Sequence, residues 1–189
     1  MHTIEPYYAW RHLYDASEDV KSPFYGRVYS ETECIHSVYN YFIHPLWDEM
    51  GSATLYVKIL FADYQSGFCI IELLGEWNDL LYNDIMFLKR NISEAMLDQG
   101  IHRFILIGEN VLNFHYDDDS YYQEWFDDLE EGWIACINFR EHVLAEIQRG
   151  RLDYYMAMGG GLNGINWRTM DPRQFFSVVE NLICKRLNA

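Results

Sequence analysis

The chain predicts an α/β fold built around a mixed β-sheet. Three observations lead there. Between Thr54 and Asn138, short β-rich runs alternate with stretches of helical periodicity. Two apolar runs, Thr54 to Tyr64 and Gly67 to Leu74, meet across the short link around Gln65-Ser66-Gly67, which suits a hairpin. The later runs are separated by helix-length segments, and such crossovers join parallel strands. The expected order is β-β-α-β-α-β-α, with one antiparallel hairpin. A helical, aromatic-rich N-terminal extension over residues 1–50 is expected to pack on the core. Residues 51–189 form the α/β domain and end in a C-terminal helix.

Each element has its own signal. In residues 1–50, Tyr7, Trp10 and Tyr14 stand at helical spacing, and Pro6 suits a first turn. Ser30 with Glu33 makes a capping box ahead of Ile35, Val38, Tyr39 and Phe42, and Pro45 ends that helix. Gly67 to Leu74 is almost continuously apolar, as in a strand covered on both faces. Asn78 and Asp79 are candidate N-caps of a long helix whose inner face is Leu81, Ile85, Leu88, Ile92 and Ala95. Asp84, Lys89, Arg90, Glu94 and Asp98 form its outer face, and Gly100 ends it. Phe104 to Ile107 is a buried strand running into Gly108. Tyr122, Trp125, Phe126 and Leu129 mark the next helix, and Trp133 to Ile137 the fourth strand. Val143, Leu144 and Ile147 follow on a short helix. Asp171-Pro172 opens the last one, with Phe175, Phe176, Val179, Leu182 and Ile183 inward.

Composition narrows the function classes. Half of the 189 residues are apolar and 17% are aromatic, enough for a real core. The net charge of −15 opposes nucleic acid and anionic lipid, and favours cationic partners. The four cysteines are far apart, with Cys69 and Cys136 inside apolar runs, which reads as a reducing cytoplasm. The N-terminal residues lack the pattern of a signal peptide, and no apolar run approaches the ~20 residues of a membrane span.

Parallel strands carry their carboxyl ends to one edge of an open sheet, where ligands bind. Three polar clusters are expected to meet there. They are Glu76, Asn78 and Asp79; Glu109 and Asn110; and Asn138, Arg140 and His142. Glu76 or Glu109 can serve as a general base and His142 as the acid. Arg140 can hold an anion, with Asn78, Asp79, Asn110 and Asn138 as binding residues. The plainer use of the same types is helix capping, with Glu109 paired to Arg140. His115 with Asp117, Asp118 and Asp119 offers cation ligands, but without EF-hand or zinc spacing, so capping is the simpler use and no metal or other cofactor is assigned. No Gly-x-Ser-x-Gly elbow is present, and Gly159-Gly160-Gly161 lacks the Gly-Lys-Ser/Thr of a P-loop.

Over residues 54–150 the element order resembles the STAS domain of anti-sigma-factor antagonists. In that family a strand leads through a loop to Asp-Ser at a helix start, and the serine is phosphorylated. Ile105-Leu106-Ile107 followed by Asp119-Ser120 falls in a similar place, which makes Ser120 the candidate phosphoacceptor; Tyr121 stands where the family has glycine. The stretches at Asn78-Asp79 and Glu109-Asn110 are also similar to a bacterial family that carries no assigned function. The resemblance implies a cytoplasmic regulatory or interaction domain working through a protein partner or a homodimer, with neither nucleic acid nor membrane. The alternative is a small-molecule or metal-dependent enzyme at the sheet edge.

Overall fold

The computed structural model describes residues 2–30, 32–34 and 36–187, apart from the side chain of Leu187. A small sheet near the N-terminus contains β1 (His2–Ile4), β2 (Ser37–Val38) and β3 (Tyr41–Ile43). Strand β3 lies between the others, parallel to β1 and antiparallel to β2. The main sheet contains β4 (Asp48–Glu49), β5 (Leu55–Asp63), β6 (Phe68–Asn78), β7 (Arg103–His115) and β8 (Trp133–Ile137), in that spatial order. The pairs β4/β5 and β5/β6 are antiparallel, and β6/β7 and β7/β8 are parallel. The class is therefore mixed α/β, with the expected hairpin and a second antiparallel pair beside it.

Helices cross over between the parallel strands. After β6 come α1 (Asp79–Tyr82), α2 (Asp84–Phe87), a π-helical turn (Leu88–Ser93) and α3 (Glu94–Leu97). After β7 comes α4 (Ser120–Asp128), and after β8 comes α5 (Glu141–Arg149). The last helix, α6 (Pro172–Leu187), is capped by Asp171, whose Oδ1 accepts from the amides of Arg173 and Gln174 at 2.9 and 3.0 Å.

Two cores sandwich the sheet, so the continuous apolar strands are covered on both faces. On one face Val57, Ile71, Leu73, Leu106 and Cys136 pack with Ile85, Leu88, Ile92, Trp125, Val143 and Ile147. On the other, Ile70, Ile105, Ile107 and Ile137 pack with Trp10, Trp167, Phe175, Val179 and Ile183. The outer edge of β8 is closed by an isolated parallel bridge from Ala135 to Ala157, whose amide donates to Ile134 O at 2.8 Å. Covering that edge removes a template for intermolecular strand pairing. Among the described residues, no helix is long and apolar enough to cross a membrane.

Three expectations are corrected. First, the described part of residues 1–50 contains no α-helix. Trp10 sits in a turn, with Tyr7 and Tyr14 in irregular backbone on either side, and the Trp10 indole donates to Met170 O at 3.0 Å while packing edge-on against Trp167. Tertiary aromatic packing, not helix formation, accounts for their spacing. Ser30 Oγ still accepts from the amides of Thr32 and Glu33, but no helix follows. Tyr41 to Ile43 instead form β3, which suits β-branched and aromatic side chains. Ile35 of the expected stripe lies outside the described residues.

Second, the long helix after Asn78 is broken. Asn83 adopts a left-handed conformation (φ 53°), so α1 and α2 are single turns. The break turns both Asp79 and Asp84 inward and leaves Leu81 71% exposed, while Ile85, Leu88 and Ile92 stay buried. Asp84 and Lys89, expected outside, are buried. Lys89 is held by Glu94, Glu124 and Asp128 at 2.8–3.0 Å. Third, β7 does not stop at Ile107. It continues through Glu109 and Asn110 to His115, with register shifts along its pairing with β6.

Candidate functional site

The carboxyl ends of the parallel strands hold polar side chains, but they divide into three groups. Gly75 makes the first two possible. Its φ of +122° and the close approach of Thr54 O, 2.1 Å from where a Cβ would stand, allow the Glu76 amide to bond Thr54 O at 2.9 Å. Strand β6 then delivers Glu76 and Trp77-Asn78-Asp79 in succession.

The first group is a buried hub. Asn78 caps α1, accepting from the Leu81 amide at 3.0 Å. Asp79 Oδ1 accepts from Trp77 Nε1 and the Ile85 amide, and its Oδ2 accepts from the Tyr122 hydroxyl. Asp84 accepts from Thr54 Oγ1 at 2.9 Å and the Asn78 amide at 2.7 Å. Burial pushes the Asp79 carboxyl up to about 7 and raises Asp84 as well, with no cation among the described residues beside either to offset it. Asn78 and Asp79, candidates for binding, serve here as a helix cap and as the acceptor for three buried donors.

The second group is an open cleft of about 410 Å³, lined by residues that include Leu80, Asn113, His115, Tyr116, His142 and Arg149. His115 Nε2 lies 2.8 Å from Glu76 Oε1, and the Tyr39 hydroxyl donates to Glu76 Oε2 at 3.1 Å. His142 Nε2 donates to Leu112 O at 2.9 Å. Of the expected catalytic residues, His142 lines this cleft, and Glu76 is tied to its rim through the pair with His115.

Glu109 does not join them. It belongs to the third group, where Oε1 accepts from Asn138 Nδ2 at 2.9 Å and Trp167 Nε1 at 2.8 Å, while Oε2 pairs with Arg168 at 2.6 Å. Partial burial works against its charge, yet these donors hold the carboxyl below its ordinary range. Asn138 (φ 54°) also donates to Ile165 O and accepts from the Gly164 and Ile165 amides, so it ties the 163–165 loop to the end of β8. Arg140 meets only the backbone of Glu109, its Nε donating to the carbonyl at 3.2 Å, so the expected side-chain ion pair is replaced by one to Arg168. Asn110 reaches toward Glu72 Oε1 at 3.5 Å.

Glu72 was missed, although a single acid inside an apolar run was a visible signal. It is 1% exposed and accepts from the Tyr7 amide at 2.8 Å, with Arg168 3.9 Å away. Burial pushes it up to about 7, and nearby Glu109 adds to the rise. Arg168, Trp167 and Tyr7 were also missed, because they come from remote segments that only the fold brings together.

Ser120 is exposed at the start of α4, with its amide and hydroxyl donating to Asp118. Among the described residues, no group of three or more His, Cys, Asp or Glu side chains gathers closely enough to hold a metal ion. His115 is turned to Glu76 and Asp119 to Tyr155. No protein-family model matches the chain, and no curated protein or solved structure does so either.

Proposed function

We propose that this chain is a regulatory protein-interaction domain that docks a partner at the carboxyl edge of its main sheet. The observation that carries the reading is the one-turn knuckle Leu80-Leu81-Tyr82, whose side chains are 59%, 71% and 44% exposed. Three consecutive large apolar residues in water are an interaction signal when they are held rigid. Here the turn is clamped by the Asn78 cap, the Asn83 break and the buried Asp79 carboxylate. Glu76, Glu109, Arg140 and His142 do not converge on one pocket, which weakens an enzyme built on those four. The STAS-like element order supports the same regulatory reading. Exposed Ser120 is then the switch, and a phosphate there would meet the α4 dipole favourably and Asp118 unfavourably.

A second reading rests on the cleft. The Glu76–His115 pair, with His142 nearby, has the parts for general acid–base chemistry on a small molecule, and the volume lies within the range of ligand sites. Native mass spectrometry of the chain purified from its own host separates the two readings. The expected result is a stoichiometric protein partner on the wild type and none on a Leu81→Asp variant that melts at the same temperature. A bound small molecule retained by Leu81→Asp and lost in His115→Ala would instead favour the cleft. A partner that stays on Leu81→Asp would overturn the knuckle.

A further inference from the structure

An exposed aromatic cluster lies on other residues. Helix α4 and the turn of 3-10 helix at Leu152–Tyr154 bring Phe126, Tyr154 and Tyr155 together. Tyr154 is 76% exposed and Phe126 38%. Tyr154 meets Tyr155 edge-on with ring centroids 5.2 Å apart, and Phe126 stands 6.1 and 5.9 Å from the two. The Tyr155 hydroxyl donates to Asp119 Oδ2 at 2.7 Å, which fixes the cluster to the N-terminal side of α4. Aromatic rings held in mutual contact, with faces left in water, give a preorganised surface.

Charge says what such a surface suits. Residues 116–131 contain eight carboxylates, Asp117, Asp118, Asp119, Glu124, Asp127, Asp128, Glu130 and Glu131, and no lysine or arginine. Glu124 and Asp128 are engaged with Lys89. Asp117, Asp119, Asp127, Glu130 and Glu131 make no ion pair among the described residues. Arg151 is the one cation between residues 150 and 156. A second copy of this chain would bring like charge, since each carries −15.

We propose that the Phe126–Tyr154–Tyr155 face docks an arginine-bearing segment of a basic protein partner. Guanidinium groups would stack on the exposed rings while Asp119, bonded to Tyr155, and the acidic 116–131 segment that carries Phe126 draw the partner in. This surface is carried by different residues from the Leu80–Tyr82 knuckle, and neither stands on the other.

The test is a fluorescence-anisotropy titration of the full chain with a labelled nona-arginine peptide near physiological salt. The variants are Phe126→Ala with Tyr154→Ala, Tyr154→Phe, and Glu18→Gln as a charge control on an exposed residue elsewhere. Thermal melts confirm that each is folded. The expected result is at least a fivefold weaker complex for the double alanine variant, less than a twofold change for Glu18→Gln, and binding kept by Tyr154→Phe. Binding to the double variant as tight as to wild type would overturn the proposal. So would a loss in Glu18→Gln equal to that of the double variant, because the attraction would then belong to the net charge alone.

Discussion

Asp79 and Glu109 are both carboxylates at the parallel half of the sheet, and each accepts three donors, one of them a tryptophan indole. Their charge states are nevertheless pushed apart. Asp79 is raised to about 7, whereas Glu109 is lowered. Two differences account for this. Asp79 is nearly sealed from water, while the Glu109 side chain keeps 26% exposure. All of Asp79's donors are neutral, while one of Glu109's is the Arg168 guanidinium. For Glu109 the smaller desolvation is outweighed by the hydrogen bonds from Asn138 and Trp167, to which Arg168 adds a further bond and its charge. Glu72 lies between these cases, fully buried and only distantly paired with the same arginine.

The largest expected effect breaks the neutral hub. Asp79→Ala leaves the Trp77 indole, the Ile85 amide and the Tyr122 hydroxyl without an acceptor in a sealed site. Unpaired buried donors cost roughly 1–3 kcal/mol each, so a loss of about 3 kcal/mol or more is expected in urea unfolding at pH 6. A loss under about 1 kcal/mol would mean that the hub is not what holds α1 and α4 to the sheet.

The next effect depends on pH. Glu72 and Asp79 hold their protons more tightly folded than unfolded. Their contribution to stability is therefore complete only below about pH 4 and is lost as pH rises to about 7. Carboxylates held low, such as Glu109 and Asp63, act in the opposite sense and only in more acid solution. Glu72→Gln removes one buried charge. It is expected to unfold later than wild type at pH 8, by on the order of 3 kcal/mol at most, and to match it only at or below about pH 4. Equal midpoints for the two proteins from pH 5 to pH 8 would show that Glu72 does not carry the pH dependence.

The smallest effect removes the shared cation. Arg168 is 44% exposed in its side chain, so solvent screens its pairs. Arg168→Met is expected to cost about 1 kcal/mol at pH 7. It should also move the Glu109 titration upward, followed by carbon-detected NMR of the carboxyl. If Glu109 titrates as before, the neutral donors from Asn138 and Trp167 carry its low value and the comparison with Asp79 fails.

Much of the fold was legible along the chain. The hairpin at Gln65-Ser66-Gly67, the buried run at Phe68 to Leu74, the caps at Asn78 and Asp171 and the strand at Trp133 to Ile137 all rest on near neighbours. The site was less legible. Glu76 and His142 were found, but His115 was read beside its aspartates because those lie next to it in sequence. Its partner, Glu76, comes from the adjacent strand, through the pairing of β6 with β7. Asn78, Asp79 and Asn138 were assigned to binding because a polar residue at a strand end can serve a ligand or the backbone. Only their partners decide which.

Periodicity and turn chemistry are local, and they sufficed for the element order and the α/β class. They failed in residues 1–50, where Trp10 finds Trp167 and Met170 rather than its own helix. They failed again at Asn83, whose left-handed backbone breaks the helix between Asp79 and Asp84. Protonation, pairing and exposure depend on distance through space. Tertiary structure alone therefore decided that the Asp79 carboxyl is pushed up, that the Glu109 carboxyl is held down, and that Leu81 faces water.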